Sequence, residues 1–289
     1  MECLRKTDIR SDLAYQSPLP FIGVYDVFSA SLAARYYSHL FLSGFGFAAS
    51  HYGLPDIGFI AWPDMVSFAQ RVATALPHCH LLVDIDDGYV DVEVACHVVS
   101  LLESIGVSGV VLEDQQRPRR CGHFAGKKIL PLDDYITKLQ QVLATRRQML
   151  VVARTDAREP EEIRRRAHAF AEAGADVVLV DAISDLGFLK ELSESIGKPM
   201  AFNQIAGGLS PACTLTQLRD AGASMVIYST PCLFAAQIAV DSALKRLSEQ
   251  DGLLHSEPPR TGISQCTAVL NNNLNRRHAS TDSLKAETS

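Results

Sequence analysis

The sequence predicts an α/β fold, a closed (β/α)8 barrel of the TIM type, and two observations support this prediction. The first is a repeated sequence pattern, which occurs in residues 103–114 (ESIGVSGVVLED), 171–182 (AEAGADVVLVDA) and 219–230 (RDAGASMVIYST). Each copy has the end of a polar-faced helix, a glycine, and then a β-branched apolar run that closes on polar residues. The second is that these runs do not alternate between apolar and polar residues, as expected of parallel strands covered on both faces.

Extended along the chain, the same pattern predicts eight strands, the number in the closed barrel. Helical character between the strands is clear in residues 159–173, which carry acids in the first turn. An open doubly wound sheet is the alternative, and the lack of a Gly-rich phosphate loop after the first strand disfavours it. The strands are predicted at residues 21–26, 39–44, 81–85, 109–114, 150–155, 177–182, 200–205 and 225–230.

The chain divides by composition near residue 250. Residues 1–250 are predicted to form the catalytic barrel domain, and the 47% hydrophobic content of the chain is sufficient for a large core. Residues 251–289 are rich in Ser, Thr, Asn and Pro, with little apolar periodicity, and are predicted to form a flexible tail. A folded extension that docks on a neighbouring subunit is the alternative.

Charge and cysteine content disfavour several classes of protein. The net charge of −6 and the scattered basic residues argue against nucleic-acid binding. The seven cysteines include no C-x-x-C pair, which argues against a disulfide framework or a structural zinc site and favours a reducing compartment. No apolar run approaches the ~18 residues of a membrane span, and residues 1–12 lack the apolar core of a signal peptide. A cytoplasmic protein without membrane contact is expected.

Acidic residues dominate the predicted strand ends. In this fold the active site lies at the carboxyl-terminal mouth of the barrel, so these positions determine the chemistry. Four carboxylates on neighbouring strand ends would repel one another without a cation, and all-oxygen ligands suit Mg²⁺. The spacing in residues 83–88 (VDIDDG) resembles the start of a calcium loop, but the glycine comes too early and no bidentate Glu follows, so calcium is excluded. The four carboxylates are Asp84, Asp86, Asp87 and Glu113.

Other polar residues occupy the remaining strand ends. For Asp26, Asp156 and Asp181, taken singly, a helix cap is the favoured explanation. Arg154 directly follows an apolar run, and its planar guanidinium suits a substrate carboxylate or phosphate, with a structural salt bridge as the alternative. Strand-end positions also include Tyr25, Ser43, Gly44, Asn203, Tyr228 and Ser229.

The stretch after the fourth predicted strand changes from acidic to basic. Cys121 lies here in a segment too polar to be core, and positive neighbours favour the thiolate form of cysteine, which can exchange a proton. An ordinary small buried side chain is the alternative. Gly122 permits close approach of the backbone to a ligand, and Gly126 would let the segment hinge as a lid. The basic neighbours are Arg119, Arg120, His123 and Lys127.

Four segments, SGFGFAASHYGLPD, DIDDGY, EDQQRPRRCGH and ARTDA, occur in this order and resemble the isocitrate lyase/phosphoenolpyruvate mutase superfamily over residues 21–247. Its lyase members carry a [KR]-[KR]-C-G-H loop, matched here by residues 119–123. The resemblance implies a barrel enzyme that uses Mg²⁺, with Mn²⁺ as the alternative ion, to make or break a C–C or P–C bond next to a carboxylate. It also implies a homotetramer, or dimer of dimers, whose last barrel helix is swapped between subunits.

The resemblance also implies roles for individual residues. Asp84 would bind the metal directly, while Asp56, Asp86 and Glu113 would hold its waters. Cys121 would be the acid/base that exchanges a proton with an enolate-like carbanion. The predicted catalytic set is Cys121, His123 and Arg154, and the predicted substrate-binding set is Tyr25, Ser43, Gly44, Gly122, Asn203 and Ser229.

Several positions depart from the usual pattern of the superfamily. Phe45 stands where many lyase relatives have glycine, so the pocket is predicted to be narrower or more apolar there. Asp181 stands where a Glu is common, and Ala206 removes a carboxylate. Ser229 follows Tyr228 where many relatives carry Pro, and a serine there resembles the marker of oxaloacetate-hydrolysing members.

The leading functional prediction is a Mg²⁺-dependent lyase that cleaves a C–C bond of a small 2-hydroxy or 2-oxo dicarboxylate or tricarboxylate. A 2-methylisocitrate- or dimethylmalate-type lyase and an oxaloacetate hydrolase are the two subclasses. A phosphonomutase or phosphonopyruvate hydrolase acting on a P–C bond is one alternative. A catalytically idle relative that binds a metabolite is the other, motivated by Phe45, Asp181 and Ala206.

Overall fold

A computed structural model describes residues 6–15, 18–122, 126–253 and 261–286 of the chain. Its eight parallel strands are β1 Leu19–Val24, β2 His39–Leu42, β3 His80–Asp84, β4 Gly109–Glu113, β7 Leu150–Thr155, β8 Val177–Val180, β9 Met200–Asn203 and β10 Ala223–Tyr228. They form a closed barrel in the order β1-β10-β9-β8-β7-β4-β3-β2, so the predicted α/β barrel is confirmed. A short antiparallel pair, β5 Gln115–Gln116 and β6 Lys128–Ile129, follows β4.

Helices surround the barrel and cover its strands. Between β4 and β7, α6 (Leu132–Thr145) packs beside α5 (Val92–Ser104), and α7 (Pro160–Glu172) packs beside α8 (Leu186–Ile196) in the same way. A π-helical turn, Ala48–Tyr52, continues the short helix after β2. The helices are α1 Ile9–Tyr15, α2 Val27–Ala33, α3 Gly44–Phe47, α4 Trp62–Ala75, α5 Val92–Ser104, α6 Leu132–Thr145, α7 Pro160–Glu172, α8 Leu186–Ile196, α9 Leu215–Asp220, α10 Pro231–Glu249 and α11 Ile263–Ala286.

The three aspartates predicted as helix caps differ in what they bind. Asp26 caps α2, since its side chain accepts a hydrogen bond of 2.6 Å from the Ser29 backbone N–H. The cap prediction is wrong for Asp156 and Asp181, because α7 and α8 begin after Glu159 and Asp185. Both aspartates instead accept hydrogen bonds from Arg154.

The core has two layers. Inside the barrel, side chains from alternate strand positions pack together, among them Phe21, Phe41 and Leu179, and Ile9 and Leu13 of α1 pack against the same cluster. Between the barrel and the helices lies a larger cluster that includes Phe68, Tyr135 and Phe170. These layers hold the strands rigidly, so that the side chains at their ends keep fixed positions.

The segment after residue 250 contains more regular structure than a flexible tail would have. Helix α11 contacts α2 and α4, and the buried Asn273 donates a 2.8 Å hydrogen bond to the Ser31 hydroxyl. The division of the chain into residues 1–250 and 251–289 stays a prediction. Within the part of the chain that the structure describes, no helix combines the length and apolar character of a membrane span.

Candidate active site

A small cavity lies at the carboxyl ends of the barrel strands. It encloses about 30 Å³, enough for about two water molecules. Polar and apolar residues share its wall, and the apolar ones close off its floor and one side. The lining residues are Phe41, Ser43, Phe45, Asp56, Asp84, Val111, Cys121, Gly122, Arg154, Leu179, Asp181, Asn203, Ile205, Ile227 and Ser229.

Arg119 lies at the centre of the predicted metal-binding carboxylates and is only 1% exposed. Its Nε donates to Glu113 Oε1 at 2.8 Å, and its Nη1 donates to Asp56. Its Nη2 lies 3.3 Å from Asp86 Oδ1. Sequence reasoning assigned Arg119 to a lid over the substrate, whereas its guanidinium serves as the internal counter-ion of three acids. The adjacent run of basic residues was the available signal, but it did not indicate which arginine turns inward.

The site still carries more negative than positive charge. Both carboxylate oxygens of Asp86 are buried and lack a hydrogen-bond partner among the described residues. Burial raises the pKa of Asp84 and Asp86 and raises that of Glu113 to about 7, although Arg119 opposes the shift in each case. The acidic side chains buried in this region are Asp56, Asp84, Asp86, Glu113, Asp156 and Asp181. The basic side chains buried with them are Arg119, Arg154 and Lys127.

This arrangement fits a hard divalent cation. The donors are all carboxylate oxygens, as Mg²⁺ prefers, and Asp84 faces the cavity directly. Glu113 and Asp86 lie behind it in contact with Arg119, outside the cavity wall. Gly44 lies against the same carboxylates, because a Cβ added to it would stand 3.0 Å from Asp84 Oδ2. Asp56 also lines the cavity, but it binds Arg119. Direct binding of the ion by Asp84, with the further acids acting through water, is therefore compatible with the arrangement.

Arg154 is held by carboxylates on two sides. Its Nε and Nη2 donate to the two oxygens of Asp156 at 3.0 and 3.1 Å, and Nη2 also donates to Asp181 Oδ2 at 3.0 Å. Lys127 donates to Asp156 Oδ1 at 2.7 Å. Burial would raise the pKa of Asp156, but Arg154 and Lys127 outweigh burial and hold the pKa well below its usual range. The guanidinium is thus fixed in one orientation facing the cavity.

A hydrogen-bonded chain extends from Arg154 across the strand ends. Asn203 Nδ2 donates to Asp181 Oδ1 at 2.7 Å, and the Ser229 hydroxyl donates to Asn203 Oδ1 at 2.7 Å. All of these side chains line the cavity. These hydrogen bonds fix the orientation of the Asn203 amide. The orientations of this amide and of the Ser229 hydroxyl therefore depend on each other. Sequence reasoning included Asn203 and Ser229 in the site but treated Asp181 as a departure.

The predicted lid segment is anchored at its start. Strands β5 and β6 pair at its base, and Lys127 and Arg158 both donate to the Gly122 carbonyl. Gly122 fits tightly, because an added Cβ would stand 1.6 Å from Asp181 Oδ2. Cys121 is 8% exposed and lines the cavity. His123 lies outside the described residues.

Some predicted residues have other surroundings. Tyr25 does not belong to the cavity wall. Ser43 lines the cavity but also caps α3, accepting a 3.1 Å hydrogen bond from the Gly46 N–H. Asp87 binds Arg117 through two hydrogen bonds of 2.9 Å, away from the predicted metal.

The departures from the superfamily pattern fall into two groups. Phe45 lines the cavity, and its ring meets that of Phe234 edge to face with centroids 6.2 Å apart. Ala206 is exposed beyond the end of β9, so its missing carboxylate leaves the described cavity wall unchanged. Phe45, Asp181 and Ser229 are therefore the departures that line the cavity, and Phe45 is the apolar one among them.

Comparison with known proteins gives a consistent result. A family model described as phosphoenolpyruvate phosphomutase matches residues 9–248. The petal death protein of Dianthus caryophyllus is 32% identical over 85% of this chain and 79% of its own. A 2-methylisocitrate lyase of Aeropyrum pernix is 32% identical over 79% of this chain and 75% of its own. A structure of oxaloacetate acetylhydrolase with the inhibitor 3,3-difluorooxalacetate superposes with a TM-score of 0.87 at 27% identity, covering 95% of this chain and 96% of the other.

Proposed function

Since the chain belongs to the phosphoenolpyruvate phosphomutase family, we propose that it is a Mg²⁺-dependent enzyme that cleaves a C–C bond of a short 2-oxo dicarboxylate, with oxaloacetate as the first candidate. The observation that carries the proposal is the convergence of Asp84, Cys121, Arg154 and Ser229 on one cavity. These side chains supply a metal ligand, a proton donor, a carboxylate-binding cation and a hydroxyl, which are the groups required for hydrolysis next to a carboxylate.

Phe45 supports a short substrate, because its ring takes up space in the cavity wall. About 30 Å³ among the described residues is less than either a dicarboxylate or a tricarboxylate needs. We therefore propose that the lid segment moves when a substrate enters. Because Gly122 is anchored through its carbonyl by Lys127 and Arg158, we expect this anchor to break and re-form during turnover.

The proposed reaction assigns a role to each residue. Arg154 binds a carboxylate of the substrate, and Ser229 and Asn203 bind the hydroxyl groups of the hydrated 2-oxo carbon. A base removes one hydroxyl proton, the bond between C2 and C3 breaks, and its electron pair passes to C3. The Cys121 thiol then supplies the proton to C3, and the products are oxalate and acetate. A divalent ion at Asp84 supplies Lewis-acid stabilisation of oxygen atoms next to the substrate carboxylate.

A second candidate is a lyase of the 2-methylisocitrate or 2,3-dimethylmalate type. It is supported by relatives with those names, among them a 2-methylisocitrate lyase of Bacillus subtilis that is 34% identical to this chain. The same proton transfer by Cys121 would serve that reaction, with a 2-hydroxy acid as substrate. Phosphonopyruvate remains the test substrate for P–C chemistry.

The subclass is tested by incubating the purified protein and Mg²⁺ with a panel of acids and following products by NMR. The panel is oxaloacetate, 2-methylisocitrate, 2,3-dimethylmalate, isocitrate and phosphonopyruvate. We expect oxaloacetate to be cleaved.

The role of Ser229 is tested with the same assay. We expect Ser229→Ala to lower kcat/KM on oxaloacetate by about tenfold or more, because the hydroxyl that binds the hydrated ketone is lost. Ser210→Ala, another buried serine beyond β9, is the matched control. Cleavage of 2-methylisocitrate in place of oxaloacetate would contradict the first candidate function and support the second, a lyase of the 2-methylisocitrate type.

We further propose that the protein assembles with copies of itself through α10. Among the residues of this helix none is buried, and Ile238 and Leu244 are 70% and 60% exposed. An apolar helix face of this kind is typical of a surface covered by another subunit. A homotetramer built from paired subunits accounts for it.

A further inference from the structure

A group of two histidines and an aspartate lies at the amino-terminal end of the barrel, opposite the cavity. His39 and His80 are the first residues of the adjacent strands β2 and β3, and they are partners in the strand register. Asp12 comes from α1, which packs across this end of the barrel. The three residues are 5%, 3% and 9% exposed, so the group is buried.

The ligand atoms of this group converge. Asp12 Oδ2 lies 3.4 Å from His39 Nε2 and 3.6 Å from His80 Nε2. All three atoms lie within 4.8 Å of one another. A tetrahedral zinc ion with ligands at about 2.1 Å requires ligand atoms about 3.4 Å apart. The two distances to the carboxylate meet this requirement closely, and the stacked imidazole rings, with centroids 5.0 Å apart, need only tilt toward each other.

The other ring nitrogen of each histidine faces a hydroxyl group. The Ser38 hydroxyl lies 3.1 Å from His39 Nδ1, and the Ser108 hydroxyl lies 2.9 Å from His80 Nδ1. Metal-binding histidines commonly have their second nitrogen fixed in this way, because it sets the ring orientation and the tautomer. Both serines thus direct the Nε2 atoms toward Asp12.

One nitrogen of the group has only a weak partner. His39 Nε2 is buried and makes no well-formed hydrogen bond with the described residues, and the Asp12 carboxylate lies 3.4 Å from it. A buried polar atom without a well-formed hydrogen bond carries a cost in stability, which a bound cation would remove. By contrast, His80 Nε2 lies 3.1 Å from the Thr7 hydroxyl, which also donates to Asp12 Oδ2 at 2.5 Å.

An entry route leads to the group from the surface. A cavity of about 710 Å³ on this end of the molecule is lined by Lys6, Thr7, His80 and Ser108 among others. An ion entering along it would reach the Thr7 hydroxyl and His80 first. The fourth coordination position can then be filled by water or by the Thr7 hydroxyl itself.

We propose that Asp12, His39 and His80 bind a divalent transition-metal ion, Zn²⁺ in the first instance, that fastens α1 to the start of β2 and β3. Imidazole nitrogens select such an ion over Mg²⁺, so this site and the carboxylate site at the opposite mouth take different metals. The cysteine pattern gave no indication of it, because the ligands are not cysteines and come from three separate segments. The site is independent of the proposed reaction.

Binding is tested on the full chain, stripped of metal and then held in excess Mg²⁺ to occupy the carboxylate site. Zn²⁺ is titrated in competition with a chromophoric chelator, and Co²⁺ is used as a spectroscopic probe of its ligands. We expect one tightly bound Zn²⁺ per chain, a Co²⁺ spectrum typical of nitrogen and oxygen ligands without thiolate charge transfer, and a rise in Tm on addition of Zn²⁺.

The variants are Asp12→Asn, His39→Gln and His80→Gln, with His78→Gln as the matched control two residues from His80. Each of the three is expected to weaken Zn²⁺ binding by at least about tenfold and to abolish the rise in Tm, while His78→Gln leaves both unchanged. Asp12→Asn keeps the volume of the side chain, so it decides the question even if a histidine variant does not fold. Zn²⁺ binding that Asp12→Asn leaves unchanged, a thiolate spectrum with Co²⁺, or no binding by the natural chain would each overturn the proposal.

Discussion

Arg119 is the residue on which the electrostatics of the proposed active site depend. A cation that is 1% exposed and surrounded by carboxylates is unusual, because burying a charge is costly unless it is paired. Here the pairing works in both directions, since Arg119 neutralises acids that would otherwise repel one another. The proposed Mg²⁺ therefore joins a cluster that already contains one cation. Its positive charge compensates the negative charge of the acids nearest the cavity.

Replacing Arg119 tests this dependence. We expect Arg119→Met to lower the free energy of unfolding by about 3–5 kcal/mol in EDTA, because Glu113 and Asp56 lose their partner. Added Mg²⁺ should stabilise the variant more than the natural protein, as measured by urea unfolding with and without the ion. Arg120→Met is the control, since among the described residues the Arg120 side chain makes only a 3.4 Å hydrogen bond to the Arg119 carbonyl. An Arg119 variant as stable as this control would contradict the account.

Glu113 predicts how the stability of the metal-free protein depends on pH. Burial raises the pKa of Glu113 from 4.5 to about 7, so the folded protein binds a proton there more tightly than the unfolded chain does. The stabilisation by this group is fully present below about pH 4.5 and is lost as the pH rises through 7, a change of up to about 3 kcal/mol. Unfolding measured in EDTA from pH 5 to 8 should show the decline, and Glu113→Gln should reduce it. Equal slopes for the two proteins would exclude this origin.

At the scale of elements, α10 differs from the other barrel helices. Helices such as α4 and α7 bury a regular set of residues against the strands, whereas α10 buries none. It contacts β1, and most of its half-buried residues lie in its first two turns, at positions 232–234 and 236. The exposed side chains Ile238 and Leu244 lie further along the helix, where a neighbouring subunit would cover them.

A charge on this helix should separate the subunits. We expect the natural protein to elute as an oligomer in size-exclusion chromatography with light scattering, and Leu244→Asp to shift the mass toward smaller species, because a buried carboxylate at an interface lacks a partner. Leu215→Asp on α9, where Leu215 is 37% exposed, is the control and should leave the mass unchanged. A monomeric natural protein would show that the face of α10 is not a subunit interface.

At the scale of the whole molecule, the barrel could be predicted because its signal is local. The apolar runs predict all eight strands, and the predicted ends extend at most two residues beyond the observed ones, as at 177–182 against Val177–Val180. The polar residues that follow each run bend into the mouth and leave the strand ladder. What the sequence did not indicate depends on distant contacts: the inward turn of Arg119 toward Asp56, the binding of Lys127 to Asp156, and the approach of Asp12 to His39. Helix α11 was missed since its polar sequence has little helical periodicity.

The proposed reaction is a metal-dependent cleavage of a C–C bond with proton transfer by Cys121. The most direct measurement follows acetate formation from oxaloacetate by proton NMR, with Mg²⁺ or with EDTA, for the natural protein and for Cys121→Ser. Cys96→Ser, on α5, is the control for loss of a thiol. We expect acetate only with Mg²⁺, at a rate lowered at least about a hundredfold in Cys121→Ser and unchanged in Cys96→Ser. Acetate formation in EDTA, or at the natural rate in Cys121→Ser, would contradict it.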